Sequence, residues 1–375
     1  MIAVLGCTGY IGGLLARHLA ERGQEVAALA RHPEHADDLS TAGCDLRRAD
    51  VLDPDSLRPA LEGAEVAYYL VHSMGRGGGD DFASRDQEGA RNFARTAAGA
   101  GVKRIVYLGG LGSGSEHLNS RHSVAVTLRA GDVPVAYYRA AAAIGAGSES
   151  FRTVYYLVRR LPAMVTPRWT TIRTQPIAAA DVVADLAAAT DLDAPLDREL
   201  QVGGPDVTTY GGMIDALARA LDRRPPLRVT VPVLTPRLSS LWVGLVTPVD
   251  TGVARPLIEG LSHETVVTDP SGMEVLPARE RTPLDLALRE AAGEVGERDP
   301  LKLAPGGRDG PSRPRPWQAV AVAETAGSRG AGGPVERPSR GSHGSLAGGT
   351  RIRDGSPTPS RRRRELHASS RVVQQ

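Results

Sequence analysis

"VLGCTGYIGG", residues Val4–Gly13, carries glycines in G-x-x-G-x-x-G spacing at Gly6, Gly9 and Gly12. The apolar run before these glycines predicts a buried strand, and the apolar residues after them recur at helical spacing. A glycine turn between a strand and a helix lets backbone N–H groups approach a pyrophosphate at the helix N-terminus. The stretch therefore predicts a dinucleotide site, although a tight turn that binds no ligand could have the same glycine spacing.

The alternation of strand and helix continues through the first 140 residues. The predicted strands are Ile2–Gly6, Glu25–Arg31, Val66–Val71, Arg104–Gly110 and Val133–Ala140, and the helix before the last of them is predicted at about Ser120–Ala130. Nearly continuous apolar strands in β-α-β order favour a parallel sheet that helices cover on both faces. The predicted class is α/β, a Rossmann-like doubly wound parallel sheet with a small C-terminal substrate lobe and a disordered tail.

This pattern predicts three regions. Residues 1–145 are expected to form the NAD(P)-binding Rossmann core, and residues 146–298 the remaining sheet elements and the substrate-side lobe. Residues 299–375 are expected to be a disordered tail rich in Arg, Gly, Pro and Ser. In residues 301–375, Gly, Pro and Ser fill 29 positions and Trp317 is the one aromatic residue. Such a composition cannot bury enough apolar surface to offset the entropy lost on ordering.

Charge divides the chain in the same way. Residues 301–375 carry a net charge of +9, which leaves −7 on residues 1–300 of a chain whose total is +2. The run Arg361–Arg364 could serve as a nucleic-acid or localisation patch, but a solvated, Arg-biased tail is the favoured interpretation. We expect no nucleic-acid binding by the folded part.

The two cysteines, Cys7 and Cys44, are too few for a disulfide framework or a metal site. They fit a reducing compartment. The sequence begins without a basic, apolar leader, and its most apolar later region, around Leu241, is too short and too rich in proline to span a bilayer. We expect a cytoplasmic protein with no transmembrane segment and no metal.

The end of the second predicted strand bears on the choice of cofactor. An NAD site usually has Asp or Glu at this place to bind the ribose hydroxyls, whereas an NADP site has a cation for the 2′-phosphate. Arg31 and His32 occupy it here, and a guanidinium can pair with phosphate bidentately. NADP(H) is therefore preferred and NAD(H) remains possible, since Arg31 could also be an ordinary surface residue.

Five segments together resemble a known family. The segments are "GCTGYIGG", "RADVLDPDSL", "AYYLVHSM", "VKRIVYLGGLG" and "GVARPLIEGL". Over about residues 1–290 the chain resembles the atypical short-chain dehydrogenase/reductases, in the NAD(P)H-binding group near the NmrA-like proteins and the relatives of the complex I 39 kDa subunit.

The resemblance implies a set of nucleotide contacts at matching positions. The phosphate loop corresponds to Gly6, Thr8, Gly9, Tyr10 and Ile11, with Gly12 completing the glycine pattern. Arg31 corresponds to the residue that selects the 2′-phosphate, and Asp50 and Val51 to residues along the adenine. The residues beside the ribose and pyrophosphate correspond to Leu70, Val71 and His72.

The chain departs from this family where reductases keep their catalytic pair. Such members have a Ser after the fourth strand and then Tyr-x-x-x-Lys, but the lysines here are Lys103 and Lys302 and neither follows a Tyr by four residues. Counting back from Asp132–Pro134 places His117 at the Tyr position and Arg121 at the Lys position. His117 could act as acid or base, Arg121 could bridge the ribose hydroxyls, and Ser113 could polarise a carbonyl.

A structural interpretation of the same stretch stays open. A histidine in a loop before a helix is often only solvated, and Ser115 or Asn119 would cap that helix well.

Three functions follow from these observations. The first is an NADP(H)-dependent oxidoreductase or isomerase acting on a small carbonyl or quinone-like substrate. The second is a non-catalytic, NmrA-like dinucleotide-binding redox sensor or regulator. The third is an accessory subunit of a quinone-related complex. The sequence predicts a dinucleotide and an unidentified small molecule as partners, and it does not predict the oligomeric state.

Overall fold

A computed structural model describes residues 1–71, 82–231 and 263–297 of the chain. His72 and the predicted tail at 299–375 lie outside these residues. None of the helices in the described ranges is long and apolar enough to cross a membrane.

The described strands and helices alternate along most of the chain. The strands are β1 (Ile2–Leu5), β2 (Val26–Ala30), β3 (Asp45–Arg48), β4 (Val66–Tyr69), β5 (Arg104–Gly110), β6 (Val135–Ala140), β7 (Ala143–Ile144), β8 (Ala163–Pro167), β9 (Arg173–Thr174), β10 (Ile177–Ala178), β11 (Glu199–Val202), β12 (Thr208–Thr209) and β13 (Leu227–Val231). The helices are α1 (Tyr10–Glu21), α2 (Asp37–Thr41), α3 (Pro54–Ala60), α4 (Phe82–Gly99), α5 (Glu116–Arg129), α6 (Glu149–Arg160), α7 (Ala179–Ala187), α8 (Tyr210–Ala220), α9 (Ser271–Glu274) and α10 (Leu284–Glu297).

The main sheet confirms the predicted fold class. Seven parallel strands pair in the order β3, β2, β1, β4, β5, β6, β11. The order reverses between β1 and β4, so the carboxyl ends of these two strands open the crevice in which doubly wound sheets bind ligands. Smaller two-stranded sheets pair β7 with β10, β8 with β13 and β9 with β12.

The strand β3 and the start of the helix α5 differ from the sequence prediction. The strand β3 was not predicted, because "DLRR" has a single apolar residue, Leu46, and lies at the partly exposed edge of the sheet. The helix α5 begins at Glu116 rather than near Ser120, because the hydroxyl of Ser115 accepts a hydrogen bond from the Leu118 N–H at 3.1 Å and caps it.

Alternate residues of each central strand pack on opposite faces of the sheet. Val4 belongs to one apolar cluster, with residues of α1 and α7, whereas Leu5 belongs to another, with residues of α3, α4 and α5. Since both clusters are buried, the central strands read as continuous apolar runs. A third cluster joins α6, α8 and α10 in the second half of the described chain.

Ion pairs attach the last described segment to α7. The carboxylates of Asp181 and Asp185 are buried, and Arg279 and Arg281 bind them. The Thr282 N–H also donates to Asp181 at 2.9 Å. These contacts fix the chain that leads into α10.

Arg104 is a buried cation at the start of β5. Its guanidinium bonds the Asp197 carboxylate at 2.6 Å and donates to backbone carbonyls of the segment between α7 and β11. The carbonyls belong to Ala189, Asp191, Leu192 and Ala194. One side chain therefore supplies hydrogen-bond donors to four backbone carbonyls in a segment with little regular secondary structure.

We expect Arg104→Ala to destabilise the protein by about 3–5 kcal/mol, because it leaves these carbonyls without their donor in a buried place. The control is Lys103→Ala, which removes an exposed pair with Glu65 and should cost less than about 1 kcal/mol. Chemical denaturation of both variants measures the difference, and equal losses would show that the Arg104 network adds no stability.

Candidate functional site

The turn between β1 and α1 is closed by contacts that leave no room for side chains. Gly6 has φ of +92°, and a Cβ there would lie 2.8 Å from the carbonyl carbon of Leu70 at the end of β4. A Cβ on Gly12 would lie 2.3 Å from the Gly6 carbonyl oxygen. The Gly9 N–H donates to that same oxygen at 2.9 Å. The glycine spacing therefore brings the start of α1 against the end of β1 at the switch point of the sheet.

The N-terminus of α1 fits a pyrophosphate. Gly9 is the cap residue and has no side chain with which to cap the helix, while Thr8 beside it is exposed. An uncapped helix start presents backbone N–H groups and a favourable field to an anion. The turn thus combines close backbone approach with a place for negative charge, as a dinucleotide requires.

Tyr10 and Ile11, which follow the turn, pack against other parts of the chain. Ile11 packs against the apolar cluster shared by α1 and α7. The Tyr10 ring lies across the chain after β7, since a Cβ at Gly145 would be 2.1 Å from the Tyr10 hydroxyl and one at Gly147 would be 2.2 Å from its ring. Because Gly145 and Gly147 have no side chains, the Tyr10 ring can pack directly on the segment that follows β7.

Two arginines lie at the carboxyl ends of β2 and β3. Arg31 directly follows β2, is exposed, and makes no ion pair or hydrogen bond with the described residues. Arg48, the last residue of β3, is also exposed and is the register partner of Ala30. His32 instead pairs with Glu34 at 3.0 Å. Sequence reasoning missed Arg48 because it lies on the unpredicted strand.

The residues predicted along the adenine have structural partners. The Asp50 carboxylate accepts from the Leu52 N–H at 3.0 Å, and the Asn92 amide donates to the Val51 carbonyl at 3.0 Å. Val51 also packs so closely on Gly89 that a Cβ there would lie 2.8 Å away. Val51 is therefore held in place by its contacts with α4.

The residues predicted beside the ribose follow β4. Leu70 and Val71 are partly buried next to Gly6. His72 lies outside the described residues.

The loop between β5 and α5 holds Ser113 at the next carboxyl end of the sheet. Ser113 is exposed and lies between Gly112 and Gly114, whose φ values are +91° and +100°. Arg139 on β6 donates to the carbonyls of Gly110 and Gly112, and it pairs with Glu199 at 2.7 Å. Arg139 therefore shapes the loop that presents Ser113.

The first turns of α5 contain the residues that replace the family's catalytic pair. The backbone of His117 lies in the first turn of the helix, and its side chain lies outside the described part of the structure. The Arg121 guanidinium donates to the Leu108 carbonyl at 2.8 Å, while its Nε is buried without a partner among the described residues. Arg121 is thus bound to β5, one turn after His117.

Tyr107 on β5 is buried, and its hydroxyl is already hydrogen bonded. The hydroxyl of Tyr107 donates to the Arg121 carbonyl at 3.1 Å, and burial raises the pKa of that phenol above its usual range. Burial also raises the pKa of the Cys7 thiol in the phosphate turn to about 11. A raised pKa favours the protonated form of both groups, so neither is suited to act as a base.

A segment from the far end of the described chain covers the loop that holds Ser113. A Cβ at Gly114 would lie 2.6 Å from the His263 ring, and one at Gly112 would lie 2.7 Å from the Glu264 carbonyl oxygen. Sequence reasoning did not identify His263, because nothing local to "SHET" indicates which loop it covers. In the described ranges, His, Cys, Asp and Glu form no cluster suited to a metal ion.

Comparison with known proteins agrees with this geometry. A family model described as NAD(P)H-binding matches residues 6–159, which run from the phosphate turn to the end of α6.

Curated relatives match a similar part of the chain. Cinnamoyl-CoA reductase 1 of Oryza sativa subsp. japonica is 33% identical over 130 residues, which are 33% of this chain and 37% of that protein. The NmrA-like family domain-containing oxidoreductase FrzB of Cladobotryum sp. is 33% identical over 119 residues, 29% of this chain and 34% of that protein. The chain therefore spans about a third of the length of these relatives.

Solved structures share the fold over a longer range. The Citrobacter sp. triphenylmethane reductase complexed with NADP(H) superposes with a TM-score of 0.59 at 22% identity, covering 77% of this chain and 99% of that one. At this identity the likeness concerns the fold.

We expect Gly12→Ala to weaken dinucleotide binding by about tenfold or more, because its methyl group would push α1 away from the Gly6 carbonyl. Gly99→Ala is the control, since a Cβ there meets nothing within 4 Å. Fluorescence titration with NADPH compares the two. Wild-type affinity in Gly12→Ala would mean that the turn does not bind the pyrophosphate.

Proposed function

Because the chain belongs to the NAD(P)H-binding, NmrA-like group of the atypical short-chain dehydrogenase/reductases, we propose that it is an NADP(H)-dependent oxidoreductase or isomerase acting on a small carbonyl or quinone-like substrate. The observation that carries the proposal is the turn at Gly6–Gly12, set at the switch point of the sheet. The names of two curated relatives, a reductase and an oxidoreductase, support the reaction type.

Arg31 supports the preference for NADP(H). The structure has no acid at the end of β2 to repel a 2′-phosphate, and the exposed Arg31 has no competing ion pair among the described residues. Arg48 adds a second exposed cation on the neighbouring strand. Charge-assisted hydrogen bonds from such groups favour a phosphate over a bare hydroxyl.

The β5–α5 loop supplies the groups for the substrate. A bound dinucleotide would supply a hydride to the substrate or take one from it. The Ser113 hydroxyl is exposed between two glycines and can donate a hydrogen bond to a carbonyl oxygen. His117 lies on the helix that follows and is a candidate for proton transfer. Arg121, which is hydrogen bonded to β5, would supply a fixed positive charge near the ribose.

A second candidate function is a dinucleotide-binding redox sensor or regulator. The observation that favours it is the loss of the family's catalytic pair, with Tyr107 buried and Arg121 bonded to the Leu108 carbonyl. Cofactor binding needs neither of the missing residues, so a sensor would keep the phosphate turn and lose turnover.

NADPH should bind wild-type protein more tightly than NADH, and Arg31→Ala should reduce that preference by about 10–100-fold, since a charged hydrogen bond contributes about 1.5–3 kcal/mol. Arg58→Ala, an exposed arginine on α3, is the matched control. Calorimetric titration of each protein with both cofactors gives the ratio. Equal affinities of the wild type for NADPH and NADH would contradict the preference.

Turnover separates the two candidate functions. Wild-type protein is expected to oxidise NADPH when supplied with conjugated aldehydes or quinones, at a rate that rises with substrate concentration. The same assay on Gly12→Ala, which should bind the cofactor poorly, shows whether the rate depends on the phosphate turn. A wild type that binds NADPH and reduces none of these compounds would support the sensor instead.

A further inference from the structure

His263 lies against the loop that carries Ser113. The ring is partly buried and packs on Gly114, where any side chain would collide with it. The Glu264 carbonyl oxygen lies similarly close to Gly112, 2.7 Å from the place of a Cβ there. Positive φ values and absent side chains at both glycines thus let residues 263 and 264 pass directly over the loop.

The backbone next to His263 is held by several independent contacts. The Thr265 N–H donates to the Arg173 carbonyl at 3.1 Å, and the Gln175 N–H donates to the Thr265 carbonyl at 2.9 Å. The hydroxyls of Thr265 and Thr174 are hydrogen bonded at 2.8 Å, and both residues are buried. The position of His263 is therefore fixed by β9, although it is far from Ser113 in sequence.

The His263 imidazole has no hydrogen-bond or ion-pair partner within residues 1–71, 82–231 and 263–297. Glu264 and Arg173 neutralise one another at 3.0 Å, and His263 makes no hydrogen bond or ion pair with any described residue. Because the residue is only partly buried, the imidazole can contact a molecule bound beside the Ser113 loop. Histidine is also the side chain that most easily exchanges a proton near neutral pH.

We propose that His263 is the acid–base residue of this cleft, donating a proton to the substrate oxygen opposite Ser113. The proposal rests on the proposed reductase function and assigns the proton transfer of the missing tyrosine to His263 in place of His117. In the reduction, the carbonyl carbon gains a hydride with its two electrons from the dinucleotide. The oxygen gains the proton of the His263 imidazolium, which becomes neutral imidazole, and water returns the proton after the alcohol leaves.

Accessibility to a reagent tests the place of His263 without any turnover. Diethyl pyrocarbonate modifies exposed imidazoles, and peptide mass spectrometry reports the rate at each histidine. Saturating NADP⁺ together with an unreactive substrate-like alcohol should slow modification of His263 and leave His122, exposed on α5, unchanged. No slowing at His263 would overturn the proposal.

Substitution tests its chemistry. His263→Gln should lower kcat on the order of 100-fold, the usual contribution of one proton-transfer group, with NADPH affinity and thermal unfolding unchanged. His122→Gln is the control and should keep the wild-type kcat. Added imidazole should restore part of the rate of His263→Ala, which a merely structural role would not allow.

The outcomes distinguish the two proposals. A His263→Gln variant that keeps kcat within about threefold of an active wild type would overturn the role of His263 and leave the reductase function standing. A drop in kcat that imidazole does not reverse in His263→Ala would also overturn it. A wild type with no turnover would overturn both.

Discussion

The contact between Gly12 and the Gly6 carbonyl is the constraint on which the rest of the site depends. With 2.3 Å between that oxygen and the place of a Cβ on Gly12, α1 can start where it does only because both residues lack side chains. The same turn brings Gly6 against the end of β4, so it also defines the crevice at the switch point. The start of α1, which carries the Tyr10 ring, takes its position from this contact.

Sequence patterns were sufficient for the parts of the fold that depend on local apolar periodicity. Five strands of the main sheet and α1 follow from runs such as Ile2–Gly6, because strands buried on both faces must be continuously apolar. The edge strand β3 has mostly charged residues and gave no such signal. The start of α5 was predicted about four residues too late, although Ser115, which caps the helix, was named as a cap candidate.

The candidate site was predictable at the nucleotide end and much less so at the substrate end. Glycine spacing and the residue after β2 are local signals, and the structure places Gly6–Gly12 at the switch point of the sheet and Arg31 directly after β2. The substrate end is instead built by long-range contacts. Arg139 shapes the Ser113 loop while pairing with Glu199, 60 residues away, and His263 reaches the same loop from a later segment still. No single-sequence pattern encodes such contacts between distant segments, so neither of them was predicted.

We expect a nicotinamide dinucleotide to lie across the carboxyl ends of β1 and β2 and to reach the β5–α5 loop. Hydrogen–deuterium exchange of the full chain, with and without NADPH, tests it most directly because exchange reports local opening residue by residue. Bound NADPH should slow exchange in peptides covering residues 6–13 and 110–116, with little change in peptides from α10. Unchanged exchange at residues 6–13 under saturating NADPH would contradict it.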